Sequence, residues 1–369
     1  MTGTIAGALM IDPSTTLPPP SPPRRGARWP FFLAVTFLAV GMSVALLWPV
    51  KVPYFAMSPG PIEPVADLVT IQDATTFELD GSAFLLTVGL KEVNAFEWLE
   101  ARFFDPQVDL IPREAVRPSG VSREEMTRTN LQAMDASIDT AVFVALDRAG
   151  YEVGFTGSGV EVLQIVEGSP ADGVLLLGDR ITEIAGTAVV TETDAANVIR
   201  SFGIGDTITL SGTRGGEPLE VEITLVPHTE LPDTAMVGVL LSTLDLEMVL
   251  PFEVKVDSRN IGGPSAGLIY AITLLDLLTE EDLLKGYRVA ATGSIHFDET
   301  VGSIGGVRQK IYAARALGVD IVFVPTANYE SALTAQGDGV EIVPVDTFQD
   351  ALDYLDALAP KAERLASSS

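Results

Sequence analysis

Ser265 stands between Pro264 and Ala266, in front of an apolar run that ends at Leu278. Proline is favoured at the first position of a helix, so this run predicts a mostly buried helix with Ser265 at its N-terminus. Free backbone N–H groups and the positive end of the helix dipole stabilise an oxyanion at such a position. Ser265 is therefore a candidate nucleophile, and the alternative is a serine that only caps a tight glycine turn.

Lys310 is a candidate partner for this serine. A helix that begins at Val307, at about 100° per residue, places its apolar residues on one stripe: Val307, Ile311, Ala314 and Leu317. Lys310 falls inside the stripe, so its side chain is predicted to point toward the core. Burial lowers the pKa of a lysine, and a neutral amine can act as a general base. Lys310 is thus predicted to take the proton of Ser265, unless its side chain extends past the stripe to solvent.

Composition argues against several other kinds of site. The chain has no cysteine, two histidines (His228 and His296) and no His-Glu-x-x-His pattern, so neither thiol nor zinc chemistry is expected. It has no Gly-x-x-x-x-Gly-Lys-[Ser/Thr] loop, so no ATPase of that class is expected. A net charge of −27 without a basic cluster argues against nucleic-acid binding. The sequence therefore predicts no metal and no cofactor.

The segment "GGPSAG" at Ser265 and the segment "TGSIHFDETVGSIGGVRQK" ending at Lys310 resemble the proteolytic domain of Lon proteases. The resemblance implies an α/β fold with Ser265 as nucleophile, Lys310 as general base and Thr292 as the residue that orients the lysine. It also implies that backbone groups near the serine, including Gly263, contact the substrate. Two features depart from many Lon enzymes: Gly262 stands where an acidic residue is common, and the ATPase half is missing.

Residues 153–228 are predicted to form a separate module. They contain short alternating strands, a capped helix and a hairpin that turns at Gly215–Gly216. The succession resembles a PDZ domain, and the segment "LGDRI" from Leu177 carries much of the likeness.

The PDZ resemblance implies that the end of another chain is added as a strand to a sheet edge. The loop Gly157-Ser158-Gly159 would then offer backbone N–H groups to a terminal carboxylate. The alternative is a PDZ fold that serves only for packing between domains.

The N-terminal region contains a candidate membrane anchor. Residues 29–50 carry no charge, and at about 1.5 Å per residue a helix of this length spans about 33 Å, enough for a bilayer core. Arg24, Arg25 and Arg28 precede the run, so the N-terminus is expected in the cytoplasm and residues 51–369 outside it. A cleaved signal peptide is the alternative, although no Ala-x-Ala-like site follows.

The whole arrangement resembles membrane-anchored, PDZ-containing Lon-like proteases of Gram-positive bacteria. It implies an α/β Lon-proteolytic-domain-like fold with an inserted β-rich PDZ domain and one N-terminal transmembrane helix. Polypeptides are the expected substrates, a hexameric homo-oligomer is implied by the family, and a separate ATPase partner is left open. The predicted segments are a disordered tail (1–28), the transmembrane helix (29–50), the first part of the Lon-like region (54–152), the PDZ domain (153–228), the proteolytic domain (229–360) and a disordered tail (361–369).

Three other readings stay open. Ser58, in "AMSPGP" just after the predicted anchor, matches the placement of the serine in signal-peptidase-like enzymes. An anchored adaptor with an inert Lon-like part would use only the PDZ domain. A histidine-dependent hydrolase would use His296, although a cross-strand surface role fits its hairpin better.

Overall fold

The computed structural model describes residues 29–228, 231 and 233–362. The predicted tail 1–28 and most of the predicted tail 361–369 lie outside the described residues.

Three groups of elements follow one another along the chain. The first group is α1 (Trp29–Leu47), β1 (Lys51–Pro64), β2 (Val69–Ile71), β3 (Ser82–Asn94), α2 (Ala95–Phe103), β4 (Asp109–Pro112), α3 (Arg113–Val116) and α4 (Arg123–Arg148). The second group is β5 (Gly154–Thr156), β6 (Val160–Ile165), β7 (Arg180–Ile184), β8 (Thr187–Ala188), α5 (Glu192–Arg200), β9 (Thr207–Arg214), β10 (Glu217–Thr224), β11 (Val226–Pro227), β12 (Ala235–Met236), β13 (Val239–Thr243) and β14 (Glu247–Val249). The third group is β15 (Val254–Val256), α6 (Gly267–Leu278), β16 (Arg288–Ala291), β17 (Ser294–Ile295), β18 (Val301–Gly302), α7 (Val307–Leu317), β19 (Ile321–Pro325), α8 (Tyr329–Leu333), β20 (Glu341–Val345) and α9 (Phe348–Asp356).

The first and third groups share one sheet, with the order β20-β19-β16-β3-β1-β4. Strands β20, β19, β16 and β3 run parallel, while β1 is antiparallel to both of its neighbours. One hydrophobic core combines residues of α4 with residues of α6 and α9, and a second core includes residues of α7 and α8. The segments before and after the middle group therefore fold together as one α/β unit.

The middle group has a core of its own. Its sheet has the order β10-β9-β7-β6-β13, and its buried apolar residues run from Val160 to Val237. The sequence placed the end of this module at residue 228, and β13 follows that residue. The prediction did not include β13 because the strand joins the module's sheet only by pairing with β6, which lies far away in the chain.

Strand β1 was not predicted, because "VPYFAMSPGPIEPV" reads as a proline-rich exit from a membrane. Prolines interrupt sheet hydrogen bonding and are tolerated at irregular positions. The pairing of β1 with β3 shifts register twice, between Lys51 and Phe55 and between Pro59 and Ile62, which is where prolines occur. The long pairing on either side of these shifts keeps the segment in the sheet.

The PDZ module joins the α/β unit through a two-stranded ribbon. Strand β5 enters the module, β14 leaves it, and the two pair antiparallel, with Thr156 opposite Glu247. Phe155 of β5 stacks on Phe143 of α4 at 5.0 Å between ring centroids, and Phe297 contacts both rings edge-on. Both connections therefore cross at one place, which aromatic packing holds against α4.

Helix α1 falls within the predicted membrane-spanning segment 29–50. Among the residues that the structure describes, no helix is both long and apolar enough to cross a membrane.

Candidate active site

Ser265 lies on the loop that leads into α6. The helix begins at Gly267 with Ala266 as its N-cap, so Ser265 precedes the helix instead of occupying its first turn. Its carbonyl oxygen accepts from the Gly293 N–H at 3.0 Å. Helix α6 is buried along almost its whole length, as its apolar run predicts, and so it provides a rigid base for the loop.

Lys310 reaches this serine from α7. Its Nζ donates to Ser265 Oγ at 2.7 Å and to Thr292 Oγ1 at 2.8 Å. The side chain is 2% exposed, as its position inside the apolar stripe predicts. Burial lowers the pKa of Lys310 to about 7, and no described carboxylate forms an ion pair with it to reverse this effect. A large fraction of the amine is therefore neutral near pH 7.

Thr292 connects the two residues. It follows β16 and is fully buried, and its hydroxyl donates to the Ser265 carbonyl oxygen at 3.2 Å while it accepts from Lys310. One hydroxyl thus fixes both the direction of the lysine amine and the backbone of the serine. The structure thus brings together the two residues of the predicted dyad and the threonine that was predicted to orient the lysine.

Helix α4 contacts the loop in front of Ser265, which the sequence did not predict. The Asn130 carbonyl oxygen accepts from the Gly263 N–H at 2.8 Å, so this N–H is engaged within the chain. A Cβ atom at position 262 would lie 2.9 Å from Asn130 Cβ, which explains why this protein has glycine there. The sequence signal that could have indicated this contact is Ser137, a polar residue on the buried face of α4.

A cavity of about 510 Å³ opens beside the serine and the lysine. Apart from Lys310 its side chains are uncharged, and they come from both parts of the α/β unit: Pro61, Leu85, Leu86, Thr87, Val88, Met134, Asn260, Ile261, Pro264, Ser265, Ser303 and Ile304. Gly263 also lines it. Such a cavity suits an apolar side chain of an extended peptide.

Two of the three N–H groups that the sequence assigned to the PDZ loop Gly157-Ser158-Gly159 are engaged within the chain. The Ser158 N–H donates to the Leu244 carbonyl at 2.9 Å, and the Gly159 N–H donates to the Val190 carbonyl at 3.3 Å. Strand β6, which follows this loop, lies between β7 and β13 and so has no open edge. Carboxylate binding at this loop stays a prediction.

A groove of about 450 Å³ lies between β13 and α5. Strand β13 is at the edge of its sheet, and among the described strands it pairs only with β6. Residues 235–238, which lead into β13, line the groove together with Ala196 and Ile199 of α5. The sequence predicted a groove walled by the helix from Thr193 to Phe202, which α5 matches, but it did not predict β13 as the other wall, because β13 joins the sheet only through a long-range pairing with β6.

The remaining candidates lie elsewhere. Ser58 is in the interior of β1, opposite Gly89, and His296 is exposed on the hairpin between β17 and β18. The hydrogen-bond partner of Ser265 Oγ in the described chain is Lys310. The described residues also contain no group of three His, Asp or Glu side chains that could hold a metal ion.

Comparisons with known proteins match the two units. Residues 129–225 match the PDZ domain family, and residues 258–356 match the Lon protease (S16) C-terminal proteolytic domain. The PDZ domain of the SdrC-like protein of Listeria monocytogenes has 31% identity and a TM-score of 0.22, over 23% of this chain and 90% of that chain.

Curated relatives include Lon proteases. Lon protease 2 of Bacillus subtilis is 35% identical over 118 residues, which are 32% of this chain and 20% of that protein. Lon protease of Mesomycoplasma hyopneumoniae is 31% identical over 96 residues, which are 25% of this chain and 11% of that protein. The match thus spans a fifth or less of the length of these relatives. This chain carries a PDZ domain and a Lon-type C-terminal proteolytic domain of the serine protease class.

Proposed function

We propose that this protein is a serine endopeptidase that cleaves polypeptides with Ser265 and Lys310. The observation that carries the proposal is the 2.7 Å contact between Lys310 Nζ and Ser265 Oγ inside a buried, uncharged environment. The Lon-type match of residues 258–356 supports the same chemistry.

In the first step Ser265 Oγ attacks the peptide carbonyl, and the neutral Lys310 amine takes the hydroxyl proton. The carbonyl becomes a tetrahedral oxyanion, which backbone N–H groups near Ser265 stabilise. The Lys310 ammonium then gives its proton to the leaving amine, and an acyl-enzyme forms. The neutral Lys310 amine then deprotonates a water molecule, which attacks the acyl carbon. The bond between this carbon and Ser265 Oγ breaks, the Lys310 ammonium returns its proton to Oγ, and the second product leaves as a carboxylic acid. Thr292 keeps the amine in place throughout.

The test is cleavage of a fluorescently quenched, unfolded protein by the full chain in the absence of ATP. Wild type, Ser265→Ala and Lys310→Ala are compared, with circular dichroism as the check on folding. We expect cleavage by the wild type and loss of activity in both folded variants. Unchanged cleavage in either variant would contradict the dyad, and an inactive wild type that still binds peptides would favour the adaptor function.

The PDZ groove between β13 and α5 is proposed to recruit the substrate. An extended chain end added to the free edge of β13 would gain backbone hydrogen bonds, with its side chains against Ala196 and Ile199. Peptide binding, measured by fluorescence anisotropy, should weaken at least about tenfold in Ala196→Trp, which fills the groove. Asn197→Trp, one residue further on an exposed position, is the matched control. Equal affinities for the two variants would place the binding site elsewhere.

Membrane tethering, an extracytoplasmic location and a homo-oligomeric state are further parts of the proposal. The first two rest on the uncharged run 29–50 and the arginines before it, and the third rests on the family resemblance. Unfolded or mislocalised envelope proteins are the proposed substrates. Carbonate extraction of the full chain tests the tether, and release into the supernatant would contradict it. Protease protection tests the location, and residues 51–369 that stay protected in intact cells would contradict the extracytoplasmic placement. Mass photometry tests the oligomeric state, and a monomer would contradict assembly.

A further inference from the structure

Helix α4 lies along the loop that carries Ser265, at three positions spaced four and three residues apart. Asn130 accepts the Gly263 N–H, Met134 lines the cavity, and Ser137 Oγ donates to the Pro264 carbonyl oxygen at 2.8 Å. This spacing places the three residues on one face of the helix. Most of α4 falls within the PDZ family match 129–225, yet its buried apolar residues pack in the core of the α/β unit and not in the core of the PDZ module. The helix lies outside the matched proteolytic segment 258–356.

We infer that α4 is a working part of the active site, in which Ser137 is a positioning residue for Ser265 and Met134 sets the depth of the substrate pocket. The inference rests on the proposed function and adds two residues to it that come from outside the matched proteolytic segment 258–356.

Ser137 acts through the peptide plane between Pro264 and Ser265. The described chain has no cis peptide bond, and in a trans peptide the C=O and N–H groups point in opposite directions. Because the Pro264 carbonyl points toward Ser137, the Ser265 N–H points away from α4. Ser137 therefore fixes the direction of a candidate oxyanion donor immediately beside the nucleophile.

The contact has little freedom to relax. Ser137 is buried, and a Cβ atom at position 267 would lie 2.8 Å from Ser137 Oγ. Gly267 thus permits the close approach of α6 to α4 that brings the hydroxyl to the Pro264 carbonyl. A larger residue at 267 would push the two helices apart and release the loop.

Met134 acts on the cavity and not on the peptide plane beside the nucleophile. It is 1% exposed and lines the cavity together with Leu85, Ile261 and Ile304. It is long and unbranched, so its terminal atoms take up space that a substrate side chain would otherwise fill. The pocket is therefore expected to favour medium-sized apolar residues on the acyl side of the cleaved bond.

Pre-steady-state acylation of the full chain with an activated peptide ester tests Ser137. The burst amplitude counts competent sites, whereas the burst rate reports how well the nucleophile is placed. For Ser137→Ala we expect the rate to fall about tenfold with the amplitude per folded protein retained, since a displaced donor costs less than a deleted one. Thr140→Ala is the control, because that hydroxyl bonds only to the Ala136 carbonyl of its own helix.

Peptides that differ only at the residue before the cleaved bond test Met134. The ratio of kcat/KM for a Trp peptide to that for a Leu peptide should rise about tenfold or more in Met134→Ala. Met126→Ala makes the same change two turns earlier on α4, outside the cavity, and should leave the ratio unchanged.

The outcomes separate the inference from the function on which it rests. A wild type that forms no acyl-enzyme overturns both. A wild type that does, with an unchanged rate in Ser137→Ala and an unchanged ratio in Met134→Ala, overturns the role of α4 alone. A lower amplitude at an unchanged rate also overturns the positioning role, because it reports lost folded sites.

Discussion

Lys310 Nζ lies 2.7 Å from Ser265 Oγ and has no described carboxylate as an ion-pair partner. Removal of water, and not a neighbouring charge, is what lowers the pKa of this amine. A desolvated lysine is neutral only above its lowered pKa, so the proposed activity should depend on pH through this one amine.

The first prediction concerns that dependence. Because the pKa of Lys310 is about 7, kcat/KM for a peptide substrate should rise through about pH 7 and level off above it. Lys310→Arg keeps a positive charge at every pH and should lower activity by about 10²–10⁴-fold. A pH–rate profile between pH 5.5 and 9 checks both statements. An activity that is constant over this range, or an active arginine variant, would contradict Lys310 as the base.

Lys310 should also make the fold less stable than it need be. The pKa of a solvent-exposed lysine is 10.5, and that of buried Lys310 is about 7. Between pH 7 and pH 10.5 the unfolded chain therefore binds a proton at this residue that the folded protein does not. Stability therefore rises with pH across this window. Lys310→Met removes the desolvation cost, and we expect its Tm to be about 3–6 °C higher at pH 7. Thermal unfolding at pH 7 and pH 10 checks this, and a gap that does not narrow at pH 10 would contradict the burial cost as its cause.

Thr292 should affect rate and titration together. In Thr292→Val the Lys310 ammonium loses a hydrogen-bond acceptor and the Ser265 carbonyl loses a donor, with little change in side-chain volume. We expect kcat to fall about 10–100-fold and the apparent pKa of the pH–rate profile to move lower, because the charged amine loses more than the neutral one. Thr292→Ser keeps the hydroxyl and should retain most activity. A valine variant with an unmoved pKa would remove the contact with Lys310 from the mechanism.

Gly262 should tolerate no side chain. An alanine Cβ there would lie 2.9 Å from Asn130 Cβ and 3.2 Å from the Asn130 carbonyl carbon, so α4 or the loop must shift. We expect Gly262→Ala to lower the free energy of unfolding by about 1–3 kcal/mol. Gly305→Ala is the matched control, because a Cβ there meets no atom within 4 Å. Equal urea midpoints for the two variants would show that the loop can shift without a loss in the free energy of unfolding.

The sequence was informative where a pattern is local. The apolar stripe of α7 predicted that Lys310 points inward, and the alternation and glycine turns of the middle segment predicted the strands and the hairpin at Gly215–Gly216. The helix stripe, the strand alternation and the hairpin turn each depend on residues that lie close together in the sequence.

What depends on distant pairing was missed. Strand β1 looks like a linker by composition and becomes a strand only against β3 and β4. The groove at β13 exists because Val239 pairs with Ile165, and the contact of Ser137 with Pro264 joins residues 127 positions apart. No periodicity within a short window reports such neighbours.

The ribbon of β5 and β14 means that the α/β unit closes its own chain without help from the PDZ domain. Thr156 and Glu247 are cross-strand partners at the end of this ribbon. The residues between them therefore form one long insertion between its two strands. Replacing residues 157–246 with an Asn-Gly turn should give a shorter chain that folds and keeps esterase activity on small substrates, with recruitment of long polypeptides lost. Calorimetry and ester hydrolysis of the shortened chain check this. A shortened chain that does not fold would show that the PDZ module stabilises the α/β unit. The α/β unit and the PDZ module would then be separable parts, and the ribbon of β5 and β14 is the place where one PDZ domain could be exchanged for another.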